Sequence, residues 1–420
     1  MYERTTLPNG LRLLSSNMPH TRSVSIGIFV GAGSRYENDA HAGASHFLEH
    51  MLFKGSEKRP EPRLISSAIE SVGGMLNAST DREVTVYWTK VARPNFELGL
   101  DVLIDMVLHP TMPLDEVERE RNVILEELAM TNDQPDARVD LLIDQTLWPS
   151  QAMGRDVGGS KESVVGISRE MLSKYMQKQY RPNNTVIAVA GNVTHQEVLE
   201  SVGAMVEGWT PGESLGMEQV QEASTGVRVA VENRKTDQAH VCLAFPGVSM
   251  VDDQRYPLDL LNTVLGEGMS SRLFMEVRER RGLAYAVHSG SAHYRDTGAV
   301  VVYCGVDPTK ADEAVKAILG ELRNIKETIP EEELASAKSF VGGRLLLRME
   351  DTRAVMGWMG GQEILLDRVL SPDEVVERLN QVTAEQITEV ARKLIVPEAY
   401  SLAVVGPYRS EARFRKLLAA

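Results

Sequence analysis

Cysteine is almost missing from this chain: Cys242 and Cys304 are the only two in 420 residues. That excludes a disulfide scaffold and leads to the expectation of a reducing compartment, the cytoplasm. No run of about 18 or more apolar residues occurs, so no helical membrane span is expected. Residues 1–10 have neither an apolar signal core nor an Arg/Ser-rich amphipathic pattern, and no export or organelle signal is expected either. A basic surplus is lacking too, with 45 Lys and Arg against 59 Asp and Glu and a net charge of −14. Phosphate binding needs clustered cations, so nucleic acid is excluded as a partner class, whereas cationic peptides suit an acidic surface. Gly266-Glu267-Gly268 lacks the third glycine of a nucleotide fingerprint.

What is present is an ordinary globular composition, 43% hydrophobic and 25% charged, in a chain long enough for two domains. Segments 23–31 and 239–247 both alternate in the strand manner and end at Gly. Met112-Pro113-Leu114 and Ile329-Pro330-Glu331 each open a helix with Pro in the first turn, 217 residues apart. Segments 184–191 and 400–406 are apolar strands that stop at Gly. Three echoes in one order argue for duplication. The turn-rich, acidic stretch between them reads as a linker, giving expected domains 1–210 and 223–420 joined by 211–222. Strands and long amphipathic helices lie in segregated runs, which predicts an α+β fold: two homologous domains, each a mostly antiparallel sheet flanked by helices.

Within His46-Phe47-Leu48-Glu49-His50, the two imidazoles are four residues apart and project from one helix face, about 40° apart around the axis. Such a pair grips a zinc ion, which in catalytic sites takes three protein ligands and a water. Glu49, beside them, is placed to take a proton from that water. A third ligand is expected from the acidic helix, where Glu126 and Glu127 compete. Glu120 and Glu127 are nearly two turns apart and share a face with Val123 and Ile124, expected to point inward, so Glu127 is the expected ligand and Glu120 the acid behind it. His20, His41, His109, His195, His240, His288 and His293 have no ligand partner at fitting spacing. Met51, Met75 and Met106 are expected in packing.

The duplication supplies an internal control. Sliding Glu120 and Glu127 by 217 residues lands on Ala337 and Arg344, and aligning Gly55 with Gly266 sets Pro257, Leu260 and Leu261 opposite His46, Glu49 and His50. The second half therefore lacks the site.

Nearly the whole chain resembles the pitrilysin-type (inverzincin) zinc peptidases, in the branch that contains the mitochondrial processing peptidase β subunit and its bacterial relatives. The resemblance rests on residues 46–51, on the 76 residues between His50 and Glu127, and on Asn77-Ala78-Ser79-Thr80-Asp81-Arg82-Glu83. It continues through residues 268–274 and 278–285. It implies two similar domains closing as a clamshell, with Zn2+ in the first, cutting unfolded peptides or precursor segments in a chamber. It implies substrate binding as an added strand along Gly74, Met75, Leu76, Asn77 and Ala78. It also implies that Arg278 and Tyr285 contact the substrate carbonyl, and that Asp140 and Asp144 receive a substrate Arg. The partner it implies is a second copy or a related subunit. The rival reading, a non-catalytic core or interaction subunit, is opposed by intact His46, Glu49, His50 and Glu127.

Overall fold

A computed structural model describes residues 2–221 and 226–419; Glu222, the last residue of the expected linker, and residue 223, the first of the expected second domain, lie outside them. Among the described residues the first sheet contains β1 (Glu3–Thr6), β2 (Arg12–Asn17), β3 (Ser23–Val30), β4 (Met75–Thr80), β5 (Thr85–Ala92) and β6 (Thr185–Gly191). The second contains β7 (Arg228–Asn233), β8 (Ala239–Pro246), β9 (Ala284–His293), β10 (Gly298–Val306) and β11 (Ser401–Gly406). The orders are β1-β2-β6-β3-β5-β4 and β7-β11-β8-β10-β9. Without β1, the two are the same arrangement. In each, one parallel pair, β2 with β6 or β7 with β11, accompanies antiparallel neighbours. The duplication read in the sequence is thus a duplication of topology.

Strands such as Thr185-Val186-Ile187-Ala188-Val189-Ala190-Gly191 are buried on both sides, and a continuously apolar strand needs cover on both faces. In the first sheet, Ile26, Ile28, Tyr87 and Ile187 pack with Phe47, Leu48, Met51 and Leu103. On the other face Leu14, Phe29, Trp88 and Ala188 meet Val355, Met356 and Met359 of the helix Thr352–Leu366. The second sheet is built likewise, with Cys242, Ala244 and Ala403 against Val139, Ile143 and Leu147 of the helix Pro135–Leu147.

The compact units are therefore discontinuous. One comprises residues 1–128, 156–218 and 346–371, the other 129–155, 219–345 and 372–420. They differ from the sequence halves by the two segments that carry the single covering helices.

Two packing expectations are corrected. Met75 is 56% exposed on edge strand β4, and Val123 is 41% exposed. The buried positions of the helix Leu114–Asp133 are Val117, Glu120 and Ile124, and Val123 is turned about 100° from Ile124. Met51 and Met106 are buried as expected. No described helix is long and apolar enough to cross a membrane.

Candidate metal centre

The histidine helix, Ala44–Leu52, begins after Gly43, whose φ of 92° is left-handed backbone open to glycine. Its first amides are capped by a buried acid from outside the helix: Glu37 accepts from Gly43 N–H at 2.8 Å and Ser45 N–H at 2.6 Å. Carboxylates suit helix N-termini because the unpaired amides there are donors in need of an acceptor. The Ser45 hydroxyl pairs with Tyr175 at 2.7 Å. Phe47, Leu48, Met51 and Leu52 are sunk in the core, so His46, Glu49 and His50 are left on the opposite, half-buried side.

The acidic helix, Leu114–Asp133, presents Glu120 and Glu127 to that side. His46 Nε2 and His50 Nε2 are 3.3 Å apart. Glu127 Oε2 is 3.9 Å from the first and 3.5 Å from the second. Glu126 is exposed. Among the described residues His46, His50 and Glu127 are the group able to hold a metal ion.

The spacing tests that fit. Ligands at about 2.0–2.1 Å from a tetrahedral ion are separated by about 3.4 Å, close to the distances found. His50 Nδ1 lies 2.9 Å from Glu120 Oε1, an arrangement in which Nδ1–H donates and Nε2 is a bare lone pair. Burial, then the charge of His50, lowers the His46 pKa to about 4, so at neutral pH its ring carries no charge. His46 Nδ1 is buried without a hydrogen-bond partner. Two imidazole nitrogens and a carboxylate oxygen, all electron-rich, thus converge on one point, an arrangement that a cation makes favourable.

Glu49 accepts a hydrogen bond from the Thr80 hydroxyl at the end of β4. Burial pushes its carboxyl above the usual range, the charge of Glu127 adds to this, and Thr80 and His50 only partly oppose it. A carboxylate so raised is a better proton acceptor. Glu120 is buried, and its second oxygen is 2.6 Å from Lys54 Nζ. Burial pushes its pKa up, but bonds to His50 and Lys54 bring it below the usual range.

Of the residues expected along a substrate, Gly74 precedes β4, and Met75, Leu76, Asn77 and Ala78 lie on it, at the sheet edge. The Ala78 amide donates to Asn77 Oδ1 at 2.8 Å. Arg278 and Tyr285 belong to the other unit. There the guanidinium is 4.6 Å from the Tyr285 ring centre and donates to the Tyr285 carbonyl at 3.3 Å, while Tyr285 is 77% exposed. Asp140 and Asp144 are on the helix over the second sheet, where Asp140 accepts from the Cys242 thiol at 3.4 Å. That thiol is pushed up by burial and then by the charges of both acids.

Thr80, Lys54 and Glu37 were not picked out by sequence reasoning. The first two leave a signal: Thr80 follows Leu76 and Ala78 at strand period, and Lys54 follows His50 by one helical turn. Glu37 leaves none, since its capping contact is made across a loop.

Comparison with known proteins agrees with this geometry. The model of insulinase (peptidase family M16) matches residues 12–161, and that of the peptidase M16 inactive domain matches residues 166–341. An uncharacterized zinc protease of Streptomyces coelicolor is 38% identical over 422 residues, covering 98% of this chain and 91% of that protein. The uncharacterized zinc protease YmxG of Bacillus subtilis is 36% identical over 413 residues, covering 97% and 98%. In fold, a crystal structure of a protease from Helicobacter pylori superposes with a TM-score of 0.92 at 22% identity, over 97% of this chain and 99% of that one.

Proposed function

This chain belongs to the M16 (insulinase) family of peptidases, and from that premise we propose that it is a zinc-dependent endopeptidase acting on unfolded peptides or precursor segments. The carrying observation is the convergence of His46 Nε2, His50 Nε2 and Glu127 Oε2 with the Glu49 carboxylate beside them.

His46, His50 and Glu127 hold the ion, and Glu120 fixes the ring of His50. When bound, zinc lowers the pKa of water toward about 7 and polarises a carbonyl. Glu49, buried and steadied by Thr80, accepts the proton of the attacking water and delivers it to the departing amine. The unpaired side of β4, from Gly74 to Ala78, takes the substrate as an added strand, which selects extended chain over folded protein. Arg278 and Tyr285 contact the substrate carbonyl oxygen, as a cation and a phenol suit an oxyanion. Asp140 and Asp144 receive a substrate cation, in competition with the Cys242 thiol. Kinship with the branch of the mitochondrial processing peptidase β subunit, a cytoplasmic setting, and pairing with a second copy or a related subunit belong to the same proposal.

Zinc content and peptide cleavage, measured on a set of variants, test it. Glu49→Gln keeps the metal and loses about 100-fold to 10,000-fold in kcat. His50→Ala and Glu127→Ala lose the metal, and Glu126→Ala keeps it. A Glu126→Ala chain without zinc beside a zinc-loaded Glu127→Ala chain overturns the ligand assignment. A wild-type chain that binds no metal and cuts no peptide restores the non-catalytic reading.

A further inference from the structure

His50 is held from behind by a carboxylate that is itself held. Glu120 Oε1 lies 2.9 Å from His50 Nδ1, and Glu120 Oε2 lies 2.6 Å from Lys54 Nζ. Lys54 comes one turn after His50, just past the helix cap Phe53, and its own amide donates to the Met51 carbonyl at 3.0 Å. The backbone that aims the imidazole thus also aims the ammonium, and both reach the same acid on the next helix.

Glu120 is 4% exposed. A metal-ligating imidazole is neutral, so in the loaded site His50 donates a hydrogen bond to Glu120 but brings no charge to balance it. A buried carboxylate without a counter-charge is costly. Among the described residues Lys54 is the only lysine or arginine within ion-pair distance of Glu120. Its side chain is 24% exposed, so the ammonium keeps contact with water while its tip is buried against the acid.

The second repeat varies all members of this bridge together. In the register that pairs Gly55 with Gly266, His50 and Lys54 fall opposite Leu261 and Leu265, both 0% exposed, and Glu120 falls opposite Ala337, 5% exposed. Where the histidine is gone, the lysine and the acid are replaced by core residues.

We propose that Lys54 is a positioning residue of the metal centre: it neutralises Glu120, which in turn keeps His50 in the tautomer whose Nε2 is free for the ion. This rests on the zinc-peptidase reading and extends it by one residue that touches neither substrate nor metal. Loss of a partner behind a metal ligand weakens binding by about 10-fold to 100-fold.

The test is the zinc dissociation constant of the full chain, measured by competition with a chromophoric chelator, together with the melting temperature of each metal-free protein. Lys54→Met weakens zinc by about 10-fold to 100-fold with the metal-free melting temperature unchanged, and Lys54→Arg recovers most of the loss. Lys54→Gln, which keeps a polar head at the surface, takes the place of Lys54→Met if that variant does not fold. In the double variant Lys54→Met with Glu120→Gln, zinc binds no more weakly than in Glu120→Gln alone, because the lysine acts through that carboxylate. Wild-type affinity in Lys54→Met and Lys54→Gln overturns the assignment, as does a double variant whose loss is the product of the two single losses. A wild type that binds no zinc removes the zinc-peptidase reading itself, an outcome distinct from a tight wild type matched by tight Lys54 variants.

Discussion

A histidine far from the metal centre shows how single side chains set pH behaviour in this chain. His293 Nδ1 faces the Val248 carbonyl at 2.7 Å and Nε2 faces Asp259 Oδ1 at 3.0 Å, so only a ring protonated on both nitrogens satisfies both acceptors. Burial lowers its pKa, but the Asp259 hydrogen bond and charge, with the Val248 carbonyl, outweigh burial and leave it raised. A raised imidazole contributes stability that is complete below its unfolded pKa of about 6.5 and is lost as pH rises through the folded value. Denaturant unfolding of wild type and His293→Gln, followed in the second unit from about pH 5 to about pH 9, will show the wild-type advantage shrinking with rising pH. An advantage that grows with pH contradicts the assignment. At this scale the catalytic cluster was legible because helical period alone carries His46, Glu49 and His50 to one side. Thr80 was not, because its bond to Glu49 depends on where β4 ends relative to a helix that no local pattern specifies.

Elements meet most closely where the helix Thr352–Leu366 lies on the first sheet. A Cβ on Gly360 would sit 2.1 Å from the Phe29 ring, and one on Gly27 would sit 2.3 Å from Met356 Sδ. Gly360→Ala therefore overpacks this contact and destabilises the first unit by roughly 1–3 kcal/mol, measured as a lower denaturant midpoint. An unchanged midpoint would mean the helix can back away freely. The amphipathic stripe Val355, Met356, Met359, Gly360 and Glu363 could be read as a helix with one buried face, yet the stripe does not state which sheet it covers. The same holds for Val139, Ile143 and Leu147. Periodicity reports that a face is buried, and tertiary pairing decides against what. The edge of β4 gives a second test: an added substrate strand uses alternate backbone amides. Peptides N-methylated at the pairing positions will bind more weakly, whereas the same groups shifted by one residue will not. Equal effects in both registers would speak against strand addition.

For the molecule as a whole, one topology carries two fates. Both repeats keep the strand order, but the positions that hold His46, Glu49 and His50 in one hold buried Pro257, Leu260 and Leu261 in the other. Polar ligands cost stability in a core, so a repeat released from chemistry fills them with apolar side chains. This contrast was legible from sequence because register survives in the helix openings and glycines. The discontinuity of the two units was not, because it is a property of packing. Zinc bound to one unit stabilises that unit by mass action, about 2.7 kcal/mol at 100 times the dissociation constant. Hydrogen exchange will therefore slow in Ala44–Leu52 and Leu114–Asp133 on zinc addition, and not in the second sheet. The most direct measurement is titration of zinc into the metal-free chain while cleavage of an unfolded, arginine-containing peptide is followed. Activity rising to a plateau at one equivalent per chain, and absent throughout in Glu49→Gln, is the predicted result. Full cleavage before any zinc is added, or none once one equivalent is bound, would contradict it.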